Sequence, residues 1–295
     1  YKSENLIKDG SDVKFVQGLI KAKHYAMLEH AIYHFETNNS RLNTYFPIAD
    51  DIFKQFAKVT IDEIQKKALI TMNLRNIIEL LDLSVYSEYK QQFREFKNLM
   101  CFILPKEILD VFQLVKSDIG MSDITLVTDE YIKQNYVEVV YKKHCYKTFK
   151  LTTNRAIANE LVRHRLCSFA QESTRYCNYS KDKFGNEIKV IEPCRQIKEN
   201  QRLYNVWKTS IRQSELDYFT LLDNGATPDT ARGVLPMDLA TELIVTANLD
   251  EWEHIFDLRM RNTTGKAHPQ CKEVIEKVYN LFTSPKGLLL PTYSF

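Results

Sequence analysis

Two linked runs decide how this chain is read: Glu160-Leu161-Val162-Arg163-His164-Arg165 and, seven residues further on, Ser173-Thr174-Arg175-Tyr176-Cys177-Asn178-Tyr179. Three arginines, a histidine and Ser173 fall within thirteen positions. Such a set suits a phosphate together with a planar polar ring. Guanidinium forks match phosphate and carbonyl oxygens, and each charge-assisted bond is worth roughly 1.5–3 kcal/mol. From Asn154 to about Ser173 the apolar residues Ile157, Leu161 and Leu166 fit a helical period, with Arg163 and Arg165 between them. On that helix the two arginines point about 200° apart, which offers one to each of two ligands. An ordinary basic helix face paired with Glu160 and Glu172 also fits this run taken alone.

Outward from this run, composition removes several alternatives. The chain has 295 residues, with 40 Lys+Arg against 38 Asp+Glu and 44% hydrophobic residues, typical of a globular core without a global field. The near-zero balance argues against a nucleic-acid binder built on Arg163–Arg175. There are 8 glycines, and the nearest pairs, Gly10/Gly18 and Gly225/Gly233, lie eight apart. Neither a G-x-G-x-x-G turn nor a G-x-x-x-x-G-K loop can be written with that spacing. Any nucleotide must therefore be held by side chains and helix ends. The six cysteines (101, 145, 167, 177, 194 and 271) include no C-x-x-C, so they read as reduced thiols rather than zinc ligands or a disulfide scaffold. No stretch approaches eighteen apolar residues and no charged-then-apolar leader opens the chain, so the expectation is cytoplasmic, with no membrane and no nucleic-acid partner. The start at Tyr1 without Met suggests that a native N-terminus precedes it.

Periodicity gives a coarse order of elements. Ser11-Asp12 opens a helix running to Lys23-His24, and Ala31–Phe35 is strand-like. From about 40 to 120 the chain turns Lys/Glu-rich and mostly helical in period, as in Ile61–Lys67 and Tyr86–Met100. Strand signals return at Ile124–Val127 and from Tyr136 to Leu151. A long helix covers Ile197–Leu222 and stops at Asn224-Gly225. Thr227-Pro228-Asp229 starts a short one. A strand at Leu239–Ala247 and helices at Leu249–Met260 and Cys271–Phe282 follow, and the tail is bounded by prolines.

The second half supplies further polar candidates: Ala231-Arg232, Leu235-Pro236, Thr241, Asn248, Trp252, His254, Leu258-Arg259 and Ala267-His268-Pro269-Gln270. Singly each has a bland reading; Trp252 and Phe256 are an i, i+4 core pair, and His254 and His268 read as hydrogen-bonded histidines. Together with Arg163–Ser173 and the front segments Tyr1-Lys2-Ser3-Glu4 and His24…Leu28-Glu29-His30, they resemble the flavin-dependent thymidylate synthases in three blocks in the same order. The resemblance covers roughly 1–37 and 136–283. It implies an α+β fold, a mixed or antiparallel sheet with packed helices, as one catalytic domain over 1–295 with a largely helical insertion at about 40–120.

The resemblance further implies FAD-dependent reductive methylation of dUMP to dTMP, with methylenetetrahydrofolate as carbon donor and NADPH as reductant, in a homotetramer whose active sites are shared. Carried over by position, Arg163, His164, Arg165, Glu172, Asn248 and His254 fall against FAD. Glu160, Arg163, Ser173, Thr174, Arg175, Arg232 and Arg259 fall against dUMP. Arg259 is the residue implied to polarise the uracil ring, and Ser173 stands beside it as a catalytic candidate. No metal and no cysteine nucleophile is implied. Asp250, where an Arg is common, and Ala26, where a small hydroxyl residue is usual, depart from the pattern. They and the insertion motivate a second reading, a non-catalytic nucleotide-binding or regulatory protein on the same fold.

Overall fold

A computed structural model describes residues 8–38, 57–83, 94–114, 124–181 and 184–283. Helices combine with two sheets, an α+β class as the sequence reading expects. The chain divides into two compact units that part between Lys147 and Thr148. The front residues Tyr1–Glu4, the start of the Tyr86–Met100 helix and the proline-bounded tail lie outside the described residues.

In the first unit, helix α1 (Ser11–Lys21) lays Val13, Val16, Leu19 and Ile20 on the core. Strands β1 (Ile32–Asn38), β2 (Lys58–Asp62), β3 (Lys67–Asn73) and β4 (Ile124–Val127) form an antiparallel sheet in the order β2-β3-β1-β4. Central β3 is buried from Ala68 to Met72, with Ile70 opposite Phe35. On one face Phe35, Ile70 and Met72 pack with residues of helices α2 (Leu74–Leu83), α3 (Arg94–Ile103) and α4 (Lys106–Val111), among them Ile77, Phe96, Met100 and Leu109. Helices α5 (Asp129–Asn135) and α6 (Glu138–His144) follow β4.

Polar residues in this unit are joined in a buried line. His34 Nε2 lies 3.0 Å from Asp129, and His34 Nδ1 lies 2.8 Å from the Thr71 hydroxyl. That hydroxyl lies 2.8 Å from His144 Nδ1, and His144 Nε2 lies 2.8 Å from Thr60 Oγ1. Burial, with the charges of His34, Lys58 and Lys143, pushes His144 down to about 3, so its ring is neutral at pH 7.

Two helix expectations are corrected here. Ile61–Lys67 is not helical: it is the β2–β3 hairpin, because Asp62 Oδ1 accepts from the backbone N–H of Ile64 and Gln65 at 2.9 Å and closes the turn. Lys66 supplies the left-handed position at φ 54°. The strand expected from Tyr136 instead begins with α6. An acid in its first turn, Glu138, and Lys142, Lys143 and His144 in its last suit the helix dipole.

In the second unit, β5 (Tyr146–Asn154), β6 (Ser168–Gln171) and β7 (Ala240–Asn248) make a sheet in the order β5-β7-β6, with β6 antiparallel to β7 and Phe169 opposite Val245. Helix α7 (Arg155–Leu161) leaves β5 directly, capped by Asn154, whose Oδ1 accepts from Ile157 N at 2.9 Å. Helices α8 (Arg195–Lys198), α9 (Gln201–Asp223), α10 (Pro228–Ala231), α11 (Leu249–Arg259) and α12 (Pro269–Thr283) complete it. Trp252 and Phe256 are fully buried with Leu243, Ile157 and Ile275, and Phe149 meets Trp252 edge-on at 5.1 Å. Each fully buried large side chain contributes roughly 1.5–3 kcal/mol of transfer free energy. This core anchors α7 and α11, the two helices that carry the site.

The single helix expected over 154–173 is shorter than its periodicity suggested. Helix α7 ends at Leu161, residues 162–167 form a turn, and β6 begins at Ser168. The β-sheet edge beside β7 claims Ser168–Gln171, so Arg163 and Arg165 stand on the turn and the 200° helical argument does not apply to them.

Candidate active site

Every residue singled out from Glu160 to Arg259 lies in the second unit. The turn after α7 sends Arg163 and Arg165 outward and His164 inward; both arginines are exposed and His164 is 5% exposed. Neither arginine side chain forms a hydrogen bond or ion pair among the described residues.

His164 meets the end of α11. Arg259 Nε donates to His164 Nε2 at 3.1 Å, Nη1 donates to the Glu160 carboxylate at 3.2 Å, and Nη2 donates to the Glu160 backbone carbonyl at 3.2 Å. Among the described residues three of the five guanidinium N–H groups are thus used, and two remain for a ligand. Arg259 keeps its charge at any ordinary pH. Burial, with Arg259 and His254 beside it, pushes His164 down to about 4, so this imidazole is neutral.

On its other side, His164 Nδ1 lies 3.4 Å from Glu251 Oε1, and the exposed His254 ring stands edge-to-face at 5.9 Å. Glu251 is buried, and burial raises its carboxyl above the usual range. The Cys167 thiol donates to the same carboxylate at 4.0 Å. Sequence reasoning missed Glu251; an acid at the third position of a helix, three after Asn248, reads only as part of a cap. His164, Glu251 and His254 bring ligand-type atoms within 4.8 Å of one another. A cation there would take the Nδ1 lone pair and move the ring proton to Nε2, directly against the Arg259 N–H. The Arg259 hydrogen bond therefore favours the ring in its present partnership over metal ligation.

The other candidates make separate local contacts. Asp229 is held below the usual carboxylate range first by a hydrogen bond with Thr227 and further by the charges of Arg175 and Arg232. Ser173 Oγ accepts from Arg175 N at 3.3 Å, closing the turn that carries Arg175 over the Tyr176 ring. Thr174 is buried. The Glu172 carboxylate accepts from the Cys177 thiol at 3.4 Å. Asn248 Oδ1 caps α11 by accepting from Glu251 N at 2.8 Å. The structure thus joins Glu160, His164, His254 and Arg259 directly.

Comparison with known proteins adds the family. The profile described as "Thymidylate synthase complementing protein" matches residues 130–284, more than half of the chain. The chain belongs to the flavin-dependent thymidylate synthase family. A flavin-dependent thymidylate synthase of Pyrococcus furiosus is 32% identical over 137 residues, covering 46% of this chain and 54% of that one. One from Geobacter sulfurreducens is 31% identical over 146 residues, covering 49% of this chain and 60% of that one. The chain spans about half the length of the curated relatives it matches. A solved UMP/dUMP methylase, PolB from Streptomyces cacaoi bound with 5-Br dUMP, is similar at TM-score 0.42 and 20% identity, over 52% of this chain and 72% of that one. The matched span takes in the Arg163–Arg165 turn, Arg232 and the whole of α11.

Proposed function

We propose that the chain carries the flavin and dUMP sites of a flavin-dependent thymidylate synthase, making dTMP from dUMP with methylenetetrahydrofolate as carbon donor and NADPH as reductant. The observation that carries this reading is the Arg259 clamp. It ties the Arg-His-Arg turn to the end of α11, yet leaves two guanidinium N–H groups unused among the described residues. Presented to the N3/O4 edge of a uracil, those groups stabilise developing negative charge with no change of protonation.

Arg175 and Arg232 are the phosphate partners, since guanidinium forks match phosphate oxygens and the charges of both are felt at Asp229. Ser173 and Thr174 lie on the same turn and supply hydroxyls to the nucleotide. FAD fits the donors present: the exposed guanidinium groups of Arg163 and Arg165, without a hydrogen bond or ion pair among the described residues, suit a diphosphate, and the exposed His254 ring suits a flat heterocycle. Glu172 and Asn248 are assigned to FAD by the family resemblance. When bound, FAD supplies the hydride chemistry, and the protein supplies orientation and fixed charge. Helix α9 leaves Val206 66% and Leu216 59% exposed, which supports its use against another copy in a homotetramer.

Asp250, one motive for a non-catalytic reading, has an ordinary explanation. It is exposed in the first turn of α11, where an acidic side chain favours the helix N-terminus. The test is a dTMP assay on the purified chain with dUMP, methylenetetrahydrofolate, NADPH and FAD. dTMP that appears only when all four are supplied is the expected result. Binding of dUMP without any dTMP would instead favour the nucleotide-binding, non-catalytic reading.

A further inference from the structure

We propose that Glu251 is a positioning residue for Arg259, acting through His164: it accepts the ring's Nδ1 proton and so keeps Nε2 a bare acceptor for the Arg259 Nε–H. The kinetic part of this rests on the proposed function; the proton placement does not.

A neutral imidazole has one N–H and one lone pair, and its two nitrogens cannot both accept. Arg259 can only donate, so the 3.1 Å contact at Nε2 requires a lone pair there. The ring proton must then sit on Nδ1, and what Nδ1 faces is the Glu251 carboxylate at 3.4 Å. The opposite tautomer sets N–H against N–H at Arg259 and lone pair against carboxylate at Glu251. Both contacts favour the same tautomer, and the ring transmits the orientation of a buried acid to the guanidinium.

Groups facing this ring and its acid are few. Arg259 and Glu160 lie on one side. Glu251, the Cys167 thiol and the exposed His254 ring lie on the other. Burial places the Cys167 thiol at about 12, so it stays protonated and acts as a second donor to Glu251. Its donation and that of Nδ1 hold the acid in place. The backbone of Glu251 is fixed separately by the Asn248 cap. Removing the carboxyl therefore leaves the helix start intact and releases the ring.

The test uses the full chain with 15N-labelled histidine and the variants Glu251→Gln and Glu251→Leu. Gln retains an oxygen acceptor for Nδ1–H; Leu has similar bulk and no acceptor. Wild type and Glu251→Gln are expected to show His164 as the Nδ1–H tautomer at pH 7, with dTMP formation within about threefold of each other. Glu251→Leu is expected to show the Nε2–H tautomer as well and to lose about 100-fold in kcat, with the dUMP KM little changed. A wild-type spectrum with His164 protonated at Nε2 overturns the proposal without any variant, as does a Glu251→Leu ring that keeps the wild-type tautomer. Glu251→Gln as impaired as Glu251→Leu would also overturn it, since an acceptor would then not suffice. If the wild-type chain makes no dTMP, the proposed function fails, while the tautomer still decides this inference.

Discussion

Arg259 is held by an oxygen of Glu160's carboxylate, its backbone carbonyl and a ring nitrogen, so its position depends on three acceptors rather than on one ion pair. Arg259→Ala removes the fixed cation and is expected to lower dTMP formation by at least about 100-fold, as loss of a transition-state donor does. Flavin absorbance should remain with the protein, since Arg163, Arg165 and His254 are untouched; turnover within a few-fold of wild type would mean that another group activates the ring. The thiols behave oppositely. Burial raises Cys167 to about 12, and Cys177 is fully buried, donating to Glu172. Little thiolate exists at pH 7 at such a site. The double substitution Cys167→Ser with Cys177→Ser should therefore keep kcat within about threefold in the same assay. Arg163 and His164 stand out in the sequence because their types match an anion and a planar ring, and Arg259 stands out through the family resemblance. Glu251 does not. Its meaning arises only when β7 and the turn after α7 bring the α11 start beside His164, a contact spanning 87 positions between 164 and 251.

Among the elements, α7 and α11 present Glu160 and Arg259 to each other, and both begin at an asparagine cap that follows a strand. Asn154 does double service: Oδ1 caps α7, and Nδ2 donates to Asp238 at 2.8 Å, which also accepts from Trp207 Nε1 at 2.7 Å. Asn154→Ala is expected to cost about 1–2 kcal/mol of unfolding free energy in urea titration, the usual worth of a buried cap. Activity should fall with it, because α7 carries both Glu160 contacts to Arg259. The caps and the apolar runs of β5, β7, α9, α11 and α12 are local signals, which is why these elements are readable from periodicity. The Arg-His-Arg turn is not: Ile157, Leu161 and Leu166 keep a helical spacing through it, while β6 is fixed by pairing with β7, a tertiary choice. The β2–β3 hairpin is missed for the same reason, since Lys and Glu density masks a turn closed by one Asp62 side chain.

At the scale of the whole molecule, each unit buries a neutral histidine, His144 at about 3 in the first and His164 at about 4 in the second. An unfolded histidine titrates near 6.5. Between pH 6.5 and 4 the unfolded chain takes up protons at these rings and the folded chain does not, so acid favours unfolding. The stabilisation is complete above about pH 6.5 and is lost as pH falls toward those lower values, at up to about 1.4 kcal/mol per pH unit for each ring. Thermal unfolding should therefore shift downward between pH 7 and pH 5, and His164→Gln should shrink that shift. A melting temperature unchanged over this interval would contradict neutral burial of these rings. Buried neutrality explains why formal charge, +2 for the chain, says little about acid tolerance.

The proposed function requires the second unit to take both a flavin and a uracil nucleotide, with the uracil against Arg259. An absorbance spectrum of the purified chain, desalted after adding FAD and then titrated with dUMP, tests it directly. The expected result is a flavin band that stays with the protein and shifts when dUMP enters. A chain that binds dUMP and retains no flavin would contradict it.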